Sequence, residues 1–193
     1  MRKAPLYLLS GGQSSRFGSD KARALFQQQP LLQHAASVFS EVSTHLFVIA
    51  SRADDYADLG FETLGDVQPH LGPLGGLWTA LLDAKQRQEG WFWLTSCDLL
   101  GVQQRWLDEL LDARRDGQTA VAYRGDFWEP MPGLYHTSLL PHVERQLETG
   151  RRSLQRLLSS SAAHALALPE DWHKAAQINT PEALREFSER TAL

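Results

Sequence analysis

Short apolar runs alternate along the chain with stretches whose apolar positions recur at helical spacing. Leu6 to Leu9, Leu46 to Ala50 and Trp91 to Leu94 are continuous apolar segments of strand length. A strand apolar on both faces is one buried on both faces, the usual state in a parallel sheet. Phe61 to Leu64 is a weaker run of the same kind, and Ala120 to Tyr123, Gly133 to Tyr135 and His164 to Leu168 also read as strands. The periodicity predicts helices over Leu31 to Phe39, Leu77 to Lys85, Gln103 to Arg115, Leu139 to Glu148 and Leu154 to Leu158, and a last one from Pro181. Pro30 stands at the entrance of the first, where a missing N–H loses no helical bond. Ser153 is the expected N-cap of the helix at Leu154. Asp66 to Gly76 reads as a long Gly/Pro loop.

Strands alternating with helices predict an α/β fold, a Rossmann-like three-layer sandwich with a mostly parallel central sheet. No repeat, linker or low-complexity stretch divides it, so residues 1–193 are expected to form a single domain. Ligands of such folds bind beyond the carboxyl ends of the strands. That directs attention to the loops after Leu9, Leu64 and Leu94.

Composition narrows the partners. The net charge is −4, with no basic tail, which argues against a nucleic-acid substrate. Met1-Arg2-Lys3 before an apolar stretch imitates an export signal, but that stretch is about as short as the shortest signal core and runs straight into Gly11-Gly12. With Cys97 the single cysteine, no internal disulfide can form, and a reducing, cytoplasmic location is expected. No run approaches the roughly 18 apolar residues that span a bilayer.

The chemistry begins in the loop Leu9-Ser10-Gly11-Gly12-Gln13-Ser14-Ser15-Arg16-Phe17-Gly18-Ser19-Asp20-Lys21. Glycines let backbone approach a ligand closely, and successive N–H groups in a turn cradle an anion. Arg16 and Lys21 add two positive charges in an acidic chain, one a planar fork and the other a compact point charge. Together they describe a triphosphate site. The loop is neither GxxxxGK[ST] nor GxGxxG. Asp98 follows the buried run Trp91 to Leu94, where a carboxylate facing a triphosphate is suited to Mg²⁺. It equally suits an Asx turn or a cap before the next helix. Asp66 reads as an acceptor for a ribose or base, or as a capped turn. Cys97 has no histidine near it in sequence and reads as a small buried residue.

The loop resembles the signature L-x-G-G-x-S-x-R-[MF]-G-x-D-K of the MobA-like nucleoside triphosphate transferases, the family that includes molybdenum cofactor guanylyltransferase. Gly72-Pro73-Leu74-Gly75-Gly76, Ser96-Cys97-Asp98 and Asn179-Thr180-Pro181-Glu182-Ala183-Leu184 extend the resemblance, in order, over nearly the whole chain. It implies a fold of the nucleotide-diphospho-sugar transferase type, with a donor half over about residues 1–100 and an acceptor half over about 101–193. It makes Leu9, Ser10, Gly11, Gly12, Lys21, Asp66 and Asp98 the nucleotide site. Arg16, Lys21 and Asp98 are then the catalytic group, with Asp98 on Mg²⁺. Glu129 to Tyr135 resembles the family's acceptor-side strand. Gly150-Arg151-Arg152-Ser153 resembles its turn into a helix, where Arg151 and Arg152 would meet an acceptor phosphate or form a solvated basic turn. Gln177 and Asn179 join the acceptor side. Three departures stand out: Ile49 where guanylyltransferases carry Asn, Gln177 where relatives often carry Asn, and no proline on either side of Cys97-Asp98. With Ile49 apolar, backbone groups near Leu9 and Ser10 are left to read a base edge.

The resemblance implies GMP transfer from GTP to the terminal phosphate of molybdopterin or its metal-loaded form, with pyrophosphate leaving. Cofactor-insertion proteins or recipient molybdoenzymes are the protein partners it suggests. CMP transfer from CTP, to the same cofactor or to another phosphorylated acceptor, fits the same residues. So does a non-catalytic nucleotide-binding adaptor in cofactor insertion.

Overall fold

The computed structural model describes residues 3–10, 17–18 and 20–191. Its first half runs β1 (Ala4–Leu9), β2 (Leu25–Phe26), β3 (Gln29–Pro30), α1 (Leu31–Val38), β4 (Ser43–Ala50), β5 (Glu62–Gly65), α2 (Pro73–Gln86), β6 (Trp91–Ser96) and β7 (Leu99–Leu100). Its second half runs α3 (Gln104–Asp112), β8 (Ala120–Arg124), β9 (Trp128–His136), α4 (Leu140–Glu148), α5 (Leu154–Ser159), β10 (Ala163–Ala167), β11 (Ala176–Gln177) and α6 (Pro181–Thr191). Seven strands form one sheet in the order β10-β8-β9-β6-β1-β4-β5. All pairings are parallel except those of β9, which runs against both β6 and β8.

Side chains alternate across this sheet with the period of a strand. Tyr7 and Leu9 of β1 face the core shared with α2, α4 and α5, while Leu6 and Leu8 face the one shared with α1 and α3. Phe47 and Ile49 divide from Val48 and Ala50 in the same way, as do Phe92 and Leu94 from Trp93. The apolar runs are therefore the doubly covered strands of a three-layer sandwich. A smaller third cluster, Phe26, Leu31, Leu100, Ile178, Leu184 and Phe187, seats α6 beside the hairpin of β2 and β3.

Two elements differ from the sequence expectation. The segment from Gly72 to Gly76 belongs to α2 rather than to a loop: the helix starts at Pro73, with Gly72 as N-cap at φ 63°. Its glycines are there for packing, since a Cβ on Gly76 would come within 2.5 Å of Leu9 Cδ2 and one on Gly75 within 2.8 Å of Leu71 Cβ. Pro73 at the first helical position was the available signal. Strand β9 begins five residues before Gly133, although prolines at 130 and 132 argue against a strand. The register accommodates them: Ala122 pairs with Gly133, but Tyr123 pairs with Glu129, so residues 130–132 bulge out of the ladder.

Candidate active site

The carboxyl ends of β5, β4, β1 and β6 lie side by side, and the start of β9, running the other way, continues the same edge. A cavity of about 280 Å³ follows it. Asp66 lines it from beyond β5, Ile49 from the end of β4, Leu9 and Ser10 from β1, Ser96, Cys97 and Asp98 from β6, and Met131 from the bulge of β9. Lys21, Gln177 and Asn179 reach the same cavity from distant parts of the chain. A larger hollow of about 600 Å³ lies around Trp91, Asp108 and Arg115. Trp91 begins β6, so that hollow is at the amino end of the strand, the wrong end for a ligand of a parallel sheet.

At the centre, the Lys21 ammonium donates to Asp98 Oδ2 in an ion pair that is largely shielded from solvent. The other carboxylate oxygen, Oδ1, is buried and has no described partner. Asp98 therefore caps neither a turn nor α3, whose N-cap is Gln103. An orphaned carboxylate oxygen is costly unless a ligand completes it, and a hard oxygen donor of this kind suits a divalent cation such as Mg²⁺. No group of three or more His, Cys, Asp or Glu that could hold a metal is present among the described residues. A cation here would take one protein carboxylate and fill its shell from phosphates and water.

The backbone fixes Asp98 from two sides. Cys97 N donates to Leu9 O at 3.1 Å, and Ile178 N donates to Asp98 O at 2.8 Å. The second bond continues the short antiparallel ladder between β7 and β11, which delivers Gln177 and Asn179 to the site. Leu99 and Leu100 form the β7 side of that ladder, and Leu100 stands where the second of the two absent prolines would fall. Gly101, at φ 80°, lets the Lys174 carbonyl lie against it.

Lys21 is positioned by Asp20, a fixed position of the loop signature that was given no role, and by residues that the sequence did not single out. Asp20 caps the single 3₁₀ turn Lys21–Arg23, its Oδ1 accepting from Ala22 N at 3.0 Å and from the buried Tyr56 hydroxyl at 3.2 Å. Arg23 lies over the Tyr56 ring and pairs with Asp58. These contacts cross more than thirty residues, and no motif in the sequence announces them.

Asp66 sits at the other end of the cavity. Its backbone N–H donates to Ala50 O, while its carboxyl has no described hydrogen bond, so it is not a capped turn. Burial holds that carboxyl above the usual aspartate range. Ile49 is buried and apolar beside it. Ser10 directs both its N–H and its hydroxyl to Ile49 O at 3.0 Å, and Leu9 O accepts from Cys97 N. These groups, expected to read a base edge, are spent on joining β1 to β4 and β6.

Gly11, Gly12 and Arg16 lie outside the described residues. Arg151 and Arg152 do not line the cavity. Arg152 Nη1 donates to His70 O at 2.8 Å, on the loop leading from Asp66 to α2. The turn thus stands over the donor-side loop, and the acceptor role expected for the two arginines gains no support from its placement. Ser153 caps α5 as expected, accepting from Arg156 N. The buried Cys97 thiol is pushed up to about 12 by desolvation, which suits an inert core residue.

The chain belongs to the family described by the MobA-like NTP transferase domain, whose model matches residues 6–166. It is 37% identical over 187 residues to the probable molybdenum cofactor guanylyltransferase of Deinococcus radiodurans, covering 95% of this chain and 93% of that protein. It is 32% identical over 182 residues to the probable molybdenum cofactor guanylyltransferase of Opitutus terrae, covering 91% and 90%. The crystal structure of molybdopterin-guanine dinucleotide biosynthesis protein A from Archaeoglobus fulgidus shares the fold, with a TM-score of 0.80, 20% identity and coverage of 97% and 98%. Membership of this family makes the protein a nucleotidyltransferase.

Proposed function

We propose that the protein transfers GMP from GTP to the terminal phosphate of molybdopterin, or of its metal-loaded form, and releases pyrophosphate. The observation that carries this reading is the pairing of Lys21 with Asp98 on the floor of the edge cavity, with Asp98 Oδ1 buried and unpartnered. The relatives named above supply the acceptor. An oxygen of the acceptor phosphate forms a bond to the α-phosphorus of the nucleotide as the bond to the leaving pyrophosphate breaks. That phosphate is already ionised near neutral pH, so no strong general base is needed. Catalysis is then positioning and charge neutralisation.

Asp98 would hold Mg²⁺ through Oδ1, and Lys21 would turn its ammonium toward phosphate oxygens. Mg²⁺, when bound, neutralises phosphate charge and aligns the reacting groups. Asp66 offers its carboxylate to N–H or O–H donors of the base or ribose. Gly11, Gly12 and Arg16 would complete the phosphate cradle.

CMP transfer is the second reading, and the apolar Ile49 at the donor end is the observation that favours it. Equilibrium titration of the full chain with GTP and with CTP, each with Mg²⁺, separates the two. The GTP reading expects GTP to bind at least about tenfold more tightly, a difference of roughly 1.4 kcal/mol. Tighter binding of CTP would move the assignment to cytidylyl transfer.

A further inference from the structure

The nucleotide cavity does not end at Met131. A second cleft of about 160 Å³ opens from it and shares Ser96, Met131 and Gln177 as walls. Beyond them lie Leu99, Glu129, Pro130 and Trp172. The bulge of β9 creates this geometry: residues 130–132 leave the ladder, and the Tyr135 hydroxyl holds the displaced Pro130 carbonyl at 2.7 Å. Bulges commonly re-aim side chains beside active sites. The Trp172 ring is fixed from behind by Trp106 and Tyr123, with centroids at 5.1 and 5.3 Å.

Glu129 is the one charged residue among the described residues lining this cleft. It is half-buried, and its side chain has no described hydrogen bond or ion pair. Desolvation holds its carboxyl above the usual glutamate range, and no described cation lowers it again. A carboxylate between apolar walls repels a phosphate and accepts hydrogen bonds from N–H groups. The strand order also sets a distance. Glu129 on β9 and Asp66 beyond β5 are four strand spacings apart, roughly 19 Å along the sheet edge, with Lys21 and Asp98 between them. Phosphates therefore belong at the middle, and the far end of the acceptor belongs at Glu129.

We propose that this cleft seats the heterocycle of the acceptor, with the Glu129 carboxylate accepting paired N–H hydrogen bonds from an amidine-like ring edge and Trp172 and Met131 bounding the ring. The inference rests on the molybdopterin reading, whose pterin presents such an edge in its ring N–H and adjacent amino group. It places the acceptor's recognition at Glu129 rather than at Arg151 and Arg152.

The test uses the full chain and the variants Glu129→Gln and Glu129→Ala. For each, the Michaelis constants for molybdopterin and for GTP are measured, together with binding of two fluorescent probes, 6,7-dimethylpterin and 6,7-dimethyllumazine. The lumazine carries an oxygen where the pterin carries its amino group. Both variants should raise the molybdopterin constant roughly tenfold or more, the worth of a charge-assisted hydrogen bond, and leave that for GTP within about twofold. The native protein should prefer the pterin probe to the lumazine, and the variants should lose the preference. A purely structural role for Glu129 would not move that ratio. An unchanged molybdopterin constant in both variants, or equal binding of the two probes by the native protein, overturns the inference while leaving GMP transfer standing. If the native protein transfers nothing to molybdopterin, the functional reading fails instead, and a pterin preference that vanishes in Glu129→Gln still supports the cleft as a site for that ring.

Discussion

Lys21 and Asp98 stand 77 positions apart in the chain, yet the ammonium of one is paired with one carboxylate oxygen of the other. The second oxygen of Asp98 is left buried without a described partner. The Lys21 ammonium thus supplies positive charge to Asp98 at the place where a bound cation would also supply it. Asp98→Asn should keep the fold and lose most Mg²⁺-dependent turnover. A bound cation supplies several kcal/mol of transition-state stabilisation, so kcat should fall roughly a hundredfold or more. Circular dichroism would check the fold and pyrophosphate release the rate. Turnover near that of the native protein would remove Asp98 from the metal site.

Lys21→Ala should show two opposite effects. Triphosphate binding should weaken by about tenfold or more, while binding of the bare nucleoside changes little. Mg²⁺ without nucleotide should bind more tightly, because no internal cation competes for Asp98. Calorimetric titrations with GTP, guanosine and Mg²⁺ report all three. Equal losses for GTP and guanosine would mean that Lys21 contacts the base or ribose.

Asp66 gives a pH prediction. Burial raises its carboxyl above the ordinary 3.8. The folded state then binds that proton more tightly than the unfolded chain, so Asp66 lowers stability as pH rises from 3.8 through the raised value. Asp66→Asn should accordingly be more stable than the native protein at neutral pH, with the gap closing as pH falls toward 3.8. Nucleotide binding should weaken in the same variant. Urea unfolding across pH measures the first and GTP titration the second. A variant less stable at neutral pH would point to a hidden partner for the Asp66 carboxyl.

Gly101 and Gly117 share a left-handed backbone, at φ 80° and 84°, but only Gly101 has a neighbour in the way. Alanine at either position costs about 1–2 kcal/mol of backbone strain. At Gly101 it also strikes the Lys174 carbonyl, which should push residues 174–179 off β7. Gly101→Ala should therefore destabilise more than Gly117→Ala in chemical denaturation, and it alone should lower turnover by displacing Gln177 and Asn179. Equal effects would show that the ladder of β7 and β11 does not depend on this close approach.

The parts of this site legible in the sequence are those that strand ends and local chemistry dictate. Leu6 to Leu9 and Trp91 to Leu94 announced two buried strands, which the sheet sets side by side, and Ser10, Lys21 and Asp98 could be placed just beyond them. Gln177 and Asn179 came only from resemblance, because the strands that carry them into place are two residues long and leave no periodic trace. The bond from Tyr56 to Asp20 was missed since it joins two irregular segments. Resemblance put Glu129 on the acceptor-side strand without a role of its own, because the bulge over residues 130–132 that sets it beside the cleft leaves no local sequence signal. The Arg151-Arg152 turn drew attention by its charge, while the structure sets Arg152 over His70 on the donor-side loop.

The proposed transfer of GMP to the phosphate of molybdopterin is open to direct test. The most direct measurement incubates the full chain with molybdopterin, Mg²⁺ and each of the four nucleoside triphosphates in turn, and identifies the products by mass spectrometry. One adduct is expected, molybdopterin plus GMP, formed from GTP with an equal amount of pyrophosphate and absent when Mg²⁺ is chelated. An adduct carrying CMP, or GTP bound without any release of pyrophosphate, would contradict it.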